Sequence, residues 1–230
     1  MYTNNPIKVI ELRNYLLKAG TRDQFIEYFE NHFIDSQNEL GGYPLRQFRI
    51  KDIEDRFFWI RGFENMDTRS KFLPAFYGGA VWKEFGPAAN DMMLEWHNVH
   101  LLKPLPGDKN INSDVFARKK GITVIDYYTA HNDRLDELIN FLRTGYIPFL
   151  QSRNIYDTTL WISEMTENDF PRLPVIQDKN MLIVITNFKD ESEYQLILQR
   201  LASDAASENR MQQLISDKNS LILYPTDNSF

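Results

Sequence analysis

The fold is decided by the stretch IKVIELRNYLL at residues 7–17, which alternates as a β-strand does. One face of this strand is apolar and carries Ile10, Leu12 and Leu16. The other face mixes apolar, charged and aromatic side chains, namely Val9, Glu11, Arg13 and Tyr15. The pattern therefore predicts a first strand over 7–17 with two faces of different chemistry.

Outward from this strand, the first half of the chain continues in the order α-β-β-α-β. A helix is predicted over 22–39 from one apolar stripe, formed by Phe25, Ile26, Phe29 and Phe33. A hairpin follows, with strands at 45–51 and 57–63 around the charged turn 52–55. Helical sequence over 67–85 is expected to break at Pro74 and at Gly78-Gly79, before a fourth strand over 92–102.

The same order of elements recurs in the second half. The predicted elements are strand 122–129, helix 133–150, strands 154–165 and 181–188, helix 191–215 and strand 220–224. Tyr15 and Tyr128 are 113 positions apart, as are Phe25 and Leu138. The recurrence predicts two tandem copies of one split βαβ unit, each a four-stranded antiparallel sheet with both helices on one face.

Each such sheet has a second face that its own helices leave uncovered, and this face has to be buried. Two units can pack these faces together, which predicts an α+β barrel within one chain; burial against another chain is the alternative. We expect the first unit at residues 1–105, a linker at 106–120 and the second unit at 121–230. The linker is predicted because residues 104–121 are rich in Pro, Gly, Asn, Asp and Lys.

The composition is that of a globular protein, with 43% hydrophobic and 25% charged residues in a chain of 230. The 26 basic and 32 acidic residues give a net charge of −6, which argues against nucleic acid or an anionic membrane as partner. The absence of cysteine excludes a disulfide scaffold and a thiol nucleophile. With no signal peptide or membrane-spanning run in the sequence, we expect a cytoplasmic protein without membrane insertion.

No motif in the sequence predicts a metal or a cofactor. His97 and His100 lie three apart on a predicted strand, so they point to opposite faces and cannot share a metal ion. The sequence has no Ser-His-Asp motif, phosphate-binding glycine loop or dinucleotide-binding fingerprint. Haem binding is a third and poorer hypothesis, because its axial ligand would be His32 or His97 and neither lies in a haem motif.

The candidate site residues lie on two strands: Glu11, Arg13 and Tyr15 on the first, Trp59 and Arg61 on the third. These strands are neighbours in a split βαβ sheet, so the five side chains are expected to converge on one face. In the barrel, the face away from the helices is enclosed, and arginines there would be costly unless paired. Two interpretations stay open: a structural Glu–Arg network, or a site for an anion or carbonyl group, which the planar guanidinium suits.

Trp82 and Phe85 form an aromatic pair in the second helical region. Such a pair is typical of core packing. The other interpretation makes it one wall of an apolar pocket, and on that interpretation Trp82 joins the candidate ligand-binding residues.

Several segments of the first half resemble the NIPSNAP family. They are ELRNYLLKAG at 11–20, Asn31-His32-Phe33, WIRGF at 59–63 with Met66-Asp67 and Arg69, Trp82 with Phe85, and NVHLLKP at 98–104. The second half matches only in element order, since Val124-Ile125-Asp126 stands where a second Glu-Leu-Arg would be. The hairpin turn at 52–55 also lacks the glycine that the family usually has.

The resemblance implies a dimeric α+β barrel fold, ferredoxin-like in each unit. That superfamily includes antibiotic-type monooxygenases, haem-degrading enzymes and lactone isomerases, whose pockets lie between sheet and helices or inside the barrel. The NIPSNAP family itself has no settled biochemical activity, so the resemblance informs the fold more than the function. It also leads us to expect a homodimer, because such barrels usually pair and sheet edges need protection.

Two functions of different class follow. The first is a small-molecule pocket, a cofactor-independent oxygenase or isomerase that uses Arg13, Tyr15, Arg61 and Trp82. The second is a non-enzymatic binding or interaction module, supported by the lack of any specific catalytic motif. An enclosed cavity that reaches solvent near Arg13 would favour the first, and a filled interior with Arg13 paired to Glu11 would favour the second.

Overall fold

The computed structural model describes residues 6–105 and 120–226. The chain forms two compact units: unit 1 comprises Met1–Lys119, Glu164–Gln177 and Tyr224–Phe230, and unit 2 comprises Lys120–Ser163 and Asp178–Leu223. Residues 164–177, which the sequence analysis assigned to the second half, thus pack in unit 1. The predicted linker at 106–120 lies, except for Lys120, outside the described residues.

Unit 1 contains the elements of the first half of the chain. They are β1 (Val9–Leu17), α1 (Arg22–Glu39), β2 (Tyr43–Ile50), β3 (Arg56–Phe63), α2 (Met66–Gly78), α3 (Ala80–Met92), β4 (Met93–Glu95) and β5 (Val99–Pro104). Strand β1 pairs antiparallel with β3 on one side and with β4 and β5 on the other, and β2 pairs with β3. The order β5-β1-β3-β2 is that of a ferredoxin-like sheet.

The second helical region and the fourth strand depart from the predicted pattern. Pro74 lies inside α2 instead of breaking it, and buried neighbours Phe72, Leu73 and Phe76 hold the helix on both sides of the proline. The break at Gly79 is confirmed. The strand predicted over 92–102 is divided into β4 and β5: Met92 is the last residue of α3, and residues 96–98 belong to neither strand.

Unit 2 repeats the strand order of unit 1. Its elements are β6 (Ile122–Ala130), α4 (Leu135–Phe141), a π-helical turn (Leu142–Tyr146), α5 (Ile147–Gln151), β7 (Thr158–Ser163), β8 (Met181–Phe188), α6 (Glu191–Ala202), α7 (Ala205–Leu214) and β9 (Ile215–Pro225). The end of β9 belongs to unit 1. Strand β6 pairs antiparallel with β8 and β9, and β7 pairs with β8, which again gives a ferredoxin-like order.

Both long helices predicted for unit 2 are interrupted. The π-helical turn separates α4 from α5, and Asp204 starts α7 by accepting a hydrogen bond from the Ser207 N–H. A side-chain cap of this kind satisfies a free N–H at a helix start, which explains why a new helix begins there. In the described part of the chain, no helix is long and apolar enough to cross a membrane.

The face of the unit 1 sheet that carries Glu11 and Arg61 is covered by helices. Arg61 bonds to Gln37 of α1, and Arg69 of α2 bonds to Glu11. The sequence analysis placed the polar set on the face away from the helices, and these contacts correct that placement. Strand alternation predicts which side chains share a face, but not which face the helices cover.

Candidate functional site

The predicted polar set of unit 1 converges through the pairing of β1 with β3. Glu11 lies opposite Arg61 and Arg13 opposite Trp59, so alternation places these side chains on the same face as Tyr15. Glu11, Arg13 and Arg61 are fully buried. The predicted convergence of the five residues is therefore present, between the sheet and its helices.

A single carboxylate accepts hydrogen bonds from three arginines. Glu11 Oε2 accepts from Arg13 Nη1 at 2.7 Å and from Arg61 Nη2 at 2.6 Å, and Glu11 Oε1 accepts from Arg69 Nε at 2.8 Å. Burial by itself would raise the pKa of Glu11, but the charges of Arg61, Arg13 and Arg69 outweigh it and hold that pKa well below its usual range. Glu11 is therefore ionised at neutral pH.

Arg69 is the member of this cluster that the sequence analysis did not single out as a site residue. The Asn65 side chain accepts from the Thr68 N–H and so caps the start of α2, which presents Arg69 from the first turn of the helix. Arg69 Nη1 also donates to Asn168 Oδ1 at 3.1 Å. Asn168 follows β7 in the chain, and sequence reasoning had no signal that it returns to unit 1.

The cluster has three arginines but one buried carboxylate, so its buried positive charge is larger than its buried negative charge. Further acceptors are neutral: Tyr15 Oη accepts from Arg13 Nε at 2.8 Å, and Gln37 Oε1 accepts from Arg61 Nη1 at 3.1 Å. Asp169 lies 3.9 Å from Arg69 with its side chain half-exposed. Among the described residues, Nη2 of Arg13 and Nη2 of Arg69 have no hydrogen-bond partner. The cluster thus retains donors that could bind an anion or a carbonyl oxygen.

A small cavity of about 30 Å³ lies beside this cluster. Its lining includes Tyr15, Trp59, Arg61 and Trp82, whereas Glu11 and Arg13 do not reach it. Trp82 packs with its ring centroid 5.3 Å from that of Phe33 and 4.8 Å from that of Tyr77. A space of this size holds one or two water molecules. The interior is thus almost filled and Arg13 is paired with Glu11, which agrees with a structural network; the ligand-binding role of these residues stays a prediction.

Unit 2 has a much larger cavity, of about 530 Å³, which the sequence analysis missed. Its sheet side is formed by Asp126 and Tyr128 of β6 and Lys218 of β9. Its helix side is mainly aromatic and aliphatic, with Phe141, Tyr146, Phe149, Tyr194, Leu198 and Met211. A cavity of this volume with largely apolar walls is typical of small-molecule sites. It is also lined by the polar side chains of Arg200, Asp204, Ser207, Glu208 and Gln212.

Asp126 is the central polar group of this cavity. Its side chain is almost fully buried, Ser220 donates a hydrogen bond to Oδ1, and Lys218 Nζ lies 3.9 Å from the same oxygen. Burial raises the pKa of Asp126, although Lys218 and the Ser220 hydrogen bond oppose the shift. The carboxyl therefore keeps its proton to a higher pH than an exposed aspartate does.

Three tyrosines that line the same cavity feel the charge of Asp126 and keep their protons. Burial, with the Asp126 charge as a further cause, raises the pKa of Tyr128 and of Tyr146 well above the usual value. The same two causes raise the pKa of Tyr194 to about 12, against an opposing hydrogen bond with Ser220. Neutral phenols next to an ionisable carboxyl provide hydrogen-bond donors beside a proton acceptor.

The sequence contains a signal for this second site. At a spacing of 113, Arg13 corresponds to Asp126, Tyr15 to Tyr128 and Phe33 to Tyr146. The sequence therefore places Asp126 at the position of Arg13, but nothing in the local pattern predicts that the interior beside it is open.

The histidines considered for haem lie away from both cavities. His32 stacks on Phe85 with ring centroids 3.9 Å apart, and His97 lies next to Trp96 with centroids 6.5 Å apart. Neither lines the unit 1 or the unit 2 cavity. Among the residues that the structure describes, no group of three or more acidic, histidine or cysteine side chains is arranged to hold a metal ion.

Comparisons with known proteins identify the fold of this chain but no family to which it belongs. No family model matches the chain, and no curated protein does. A monooxygenase-like protein from Lactobacillus acidophilus is similar over 97% of this chain and 98% of its own, with 10% identity and a TM-score of 0.62. An anthrone oxidase-like protein is similar over 98% of this chain and 94% of its own, with 9% identity and a TM-score of 0.58.

A NIPSNAP family protein of unknown function from Agrobacterium tumefaciens is similar over 48% of this chain and all of its own, with 19% identity and a TM-score of 0.41. At this score the likeness carries no argument about function. The two likenesses that extend over nearly the whole chain do define the fold class. They confirm the predicted α+β class: this chain has the ferredoxin-like α+β barrel fold of its monooxygenase-like neighbours.

Proposed function

We propose that this chain binds a small organic molecule in the cavity of unit 2. The observation that carries the proposal is the cavity itself, about 530 Å³ between the sheet and the helices of that unit. Small-molecule sites have volumes of roughly 300–1,000 Å³, apolar walls and a few placed polar groups. Phe141, Phe149 and Leu198 supply such walls, and Asp126 supplies a placed polar group.

The finer proposals concern activity, family and assembly. The names of two structural neighbours, a monooxygenase and an anthrone oxidase-like protein, agree with an oxygenase, and we propose a cofactor-independent oxygenase or an isomerase. The alternative is a non-enzymatic binding or interaction module. Membership of the NIPSNAP family for residues 7–104, a homodimer and a cytoplasmic location stay proposals, supported by the sequence resemblance and composition.

Native mass spectrometry of the purified protein tests the binding proposal. Leu198→Trp fills the cavity, whereas Leu196→Trp adds the same ring to an exposed position on the same helix. We expect a small molecule, co-purified or added as 2-naphthol, on the wild type and on Leu196→Trp but not on Leu198→Trp. Equal loading of both variants, or a wild type that carries nothing and binds no 2-naphthol, would contradict the proposal.

We also propose a second candidate function, the binding of a small anion or carbonyl group by Arg13, Arg61 and Arg69 in unit 1. It is supported by the excess of buried positive charge and by the two guanidinium nitrogens without partners. Trp59, Tyr15 and Trp82 would form the aromatic side of this site, with Glu11 orienting the arginines. The alternative is a network that only stabilises the fold.

A thermal-shift titration with sodium formate separates these two interpretations. Formate is a small carboxylate that a guanidinium can bind with two hydrogen bonds. For a site, we expect a saturable rise in melting temperature that Arg13→Met abolishes and Arg49→Met, at an exposed ion pair, retains. An identical rise in melting temperature for the wild type, Arg13→Met and Arg49→Met would contradict the site and favour the structural network.

A further inference from the structure

We propose that the unit 2 cavity is an acid–base site for enolisable ketones of aromatic or bicyclic size, with Asp126 as the proton acceptor and tyrosine hydroxyls as donors to the enolate oxygen. This inference rests on the proposed function, because it requires that the cavity binds an organic molecule. It assigns a reaction type and a substrate class to that binding site.

The sheet wall of the cavity carries its buried carboxyl group. Asp126, Tyr128 and Lys218 belong to the sheet, and Ser220 of the neighbouring strand donates to Asp126. The Tyr194 hydroxyl is hydrogen-bonded to Ser220, so a short polar chain joins Tyr194 to the carboxyl. A ligand lying against this wall meets a carboxylate and phenol hydroxyls at the same time.

The opposite wall selects the substrate by shape. Phe141 and Phe149 come from the two sides of the π-helical turn that carries Tyr146, and all three rings line the cavity. Aromatic walls favour a flat ring system, which they contact at little cost in conformational entropy. The volume of about 530 Å³ leaves room for two fused rings.

The proton transfer needs no group beyond those of the protein and the ligand. The carboxylate of Asp126 removes a proton from the carbon next to the ketone, the C–H electron pair becomes the C=C bond, and the carbonyl oxygen takes the negative charge. A phenol hydroxyl donates a hydrogen bond to that oxygen, which stabilises the developing charge. Return of the proton from Asp126 to another carbon completes an isomerisation. If the protonated carboxyl first exchanges its proton with solvent, return of the solvent-derived proton to the same carbon completes an exchange, and both routes restore the carboxylate.

The groups around Asp126 are compatible with a role as a general base. Tyr128, Tyr146 and Tyr194 face it as neutral donors, and Lys218 is the nearest cation at 3.9 Å. Arg200, Asp204 and Glu208 line the outer part of the cavity, where they are exposed to solvent. Burial raises the pKa of Asp126, which makes the ionised carboxylate a stronger base than that of an exposed aspartate.

Proton exchange on a ketone in deuterium oxide tests the inference. The probe is 2-tetralone, a bicyclic ketone, and proton NMR follows the loss of the signals next to its carbonyl. We expect the wild type to accelerate exchange and Asp126→Asn to reduce the enzymatic rate by about a hundredfold or more, the size of a general base contribution. Asp217→Asn, an exposed aspartate on β9, is the matched control and should exchange at the wild-type rate.

The same samples report binding through saturation-transfer NMR, which separates the two levels of the proposal. Bound tetralone without accelerated exchange would overturn the inference and leave the binding function intact. Tetralone that neither binds nor exchanges would overturn the inference, and the binding function would then be decided by the 2-naphthol experiment. The exchange rate should rise with pH through the pKa of Asp126 and then level off; a rate with the same pH dependence in Asp126→Asn would exclude Asp126 as the base.

Discussion

Glu11 holds together more charge than any other side chain of the unit 1 cluster. It binds Arg13, Arg61 and Arg69 while fully buried, so its removal would leave three guanidinium groups without a buried anion. The loss of one partner of a buried ion pair is costly because the remaining charge has neither water nor a counterion. The residue is therefore essential for stability, whether or not the arginines also bind a ligand.

We predict that Glu11→Gln lowers the free energy of unfolding by about 3–5 kcal/mol, the usual cost of breaking a buried ion pair. Urea unfolding followed by circular dichroism measures the change. Asp23→Asn is the control, since Asp23 forms an exposed pair with Arg49 and its loss should cost about 1 kcal/mol or less. A cost for Glu11→Gln no larger than that of the control would contradict the description of the cluster.

The contribution of Asp126 to the free energy of unfolding should change with pH in the opposite direction to that of Glu11. Burial raises the pKa of Asp126 in the folded state above its value of 3.8 in the unfolded chain, so folding favours the protonated carboxyl. Its stabilising contribution is complete below pH 3.8 and is lost as the pH rises through the folded pKa. We predict that the stability advantage of Asp126→Asn over the wild type grows as the pH rises from 3.8 to the folded pKa and stays constant above it. Urea unfolding of both proteins at a series of pH values checks this, and a difference independent of pH would refute it.

At the scale of the element, substitution by alanine should have opposite effects on stability at two helical glycines. A Cβ on Gly86 of α3 would lie 2.7 Å from the Trp82 ring, whereas a Cβ on Gly145 in the π-helical turn meets nothing within 4 Å. We predict that Gly86→Ala destabilises by about 1–3 kcal/mol through overpacking. Gly145→Ala should stabilise by about 0.5–1 kcal/mol because alanine restricts the unfolded chain. Urea unfolding measures both, and effects of equal sign would contradict the packing described around Trp82.

The regular elements could be predicted from sequence because their patterns are local. The stripe of α1 gives its bounds Arg22–Glu39, and the run of β8 gives Met181–Phe188. Local patterns do not predict the π-helical turn or the continuation of α2 through Pro74. At both places tertiary packing overrides the local preference of the sequence. The convergence of Glu11 with Arg61 followed from strand adjacency, whereas the contact of Asn168 with Arg69 depends on a distant segment that no local pattern predicts.

At the scale of the whole molecule, the two units have the same strand order but opposite polar chemistry. Unit 1 places Arg13 on its first strand and has an almost filled interior, whereas unit 2 places Asp126 at the corresponding position and contains the large cavity. A recurring fold with different charges at equivalent positions fits a division in which one unit stabilises the chain and the other binds. Fold alone does not imply this function; the residues at the site do.

The predicted homodimer also belongs to this scale. Unprotected sheet edges tend to associate, and α+β barrels of the superfamily that the sequence resembles usually form dimers. We predict a sedimentation mass of two chains of 27.2 kDa at micromolar concentration. A mass of one chain over the whole concentration range would exclude the dimer without affecting the description of either unit.

The central claim is that unit 2, and not unit 1, binds the organic ligand, and methionine NMR tests it most directly. Met211 lines the unit 2 cavity and Met93 lines the unit 1 cavity, so carbon-13-labelled methionine methyl groups report on both. Titration with 2-naphthol should shift the Met211 methyl signal in a saturable way and leave that of Met93 unchanged, with both signals assigned by substitution to leucine. A shift of Met93 alone, or no shift of Met211, would contradict the account.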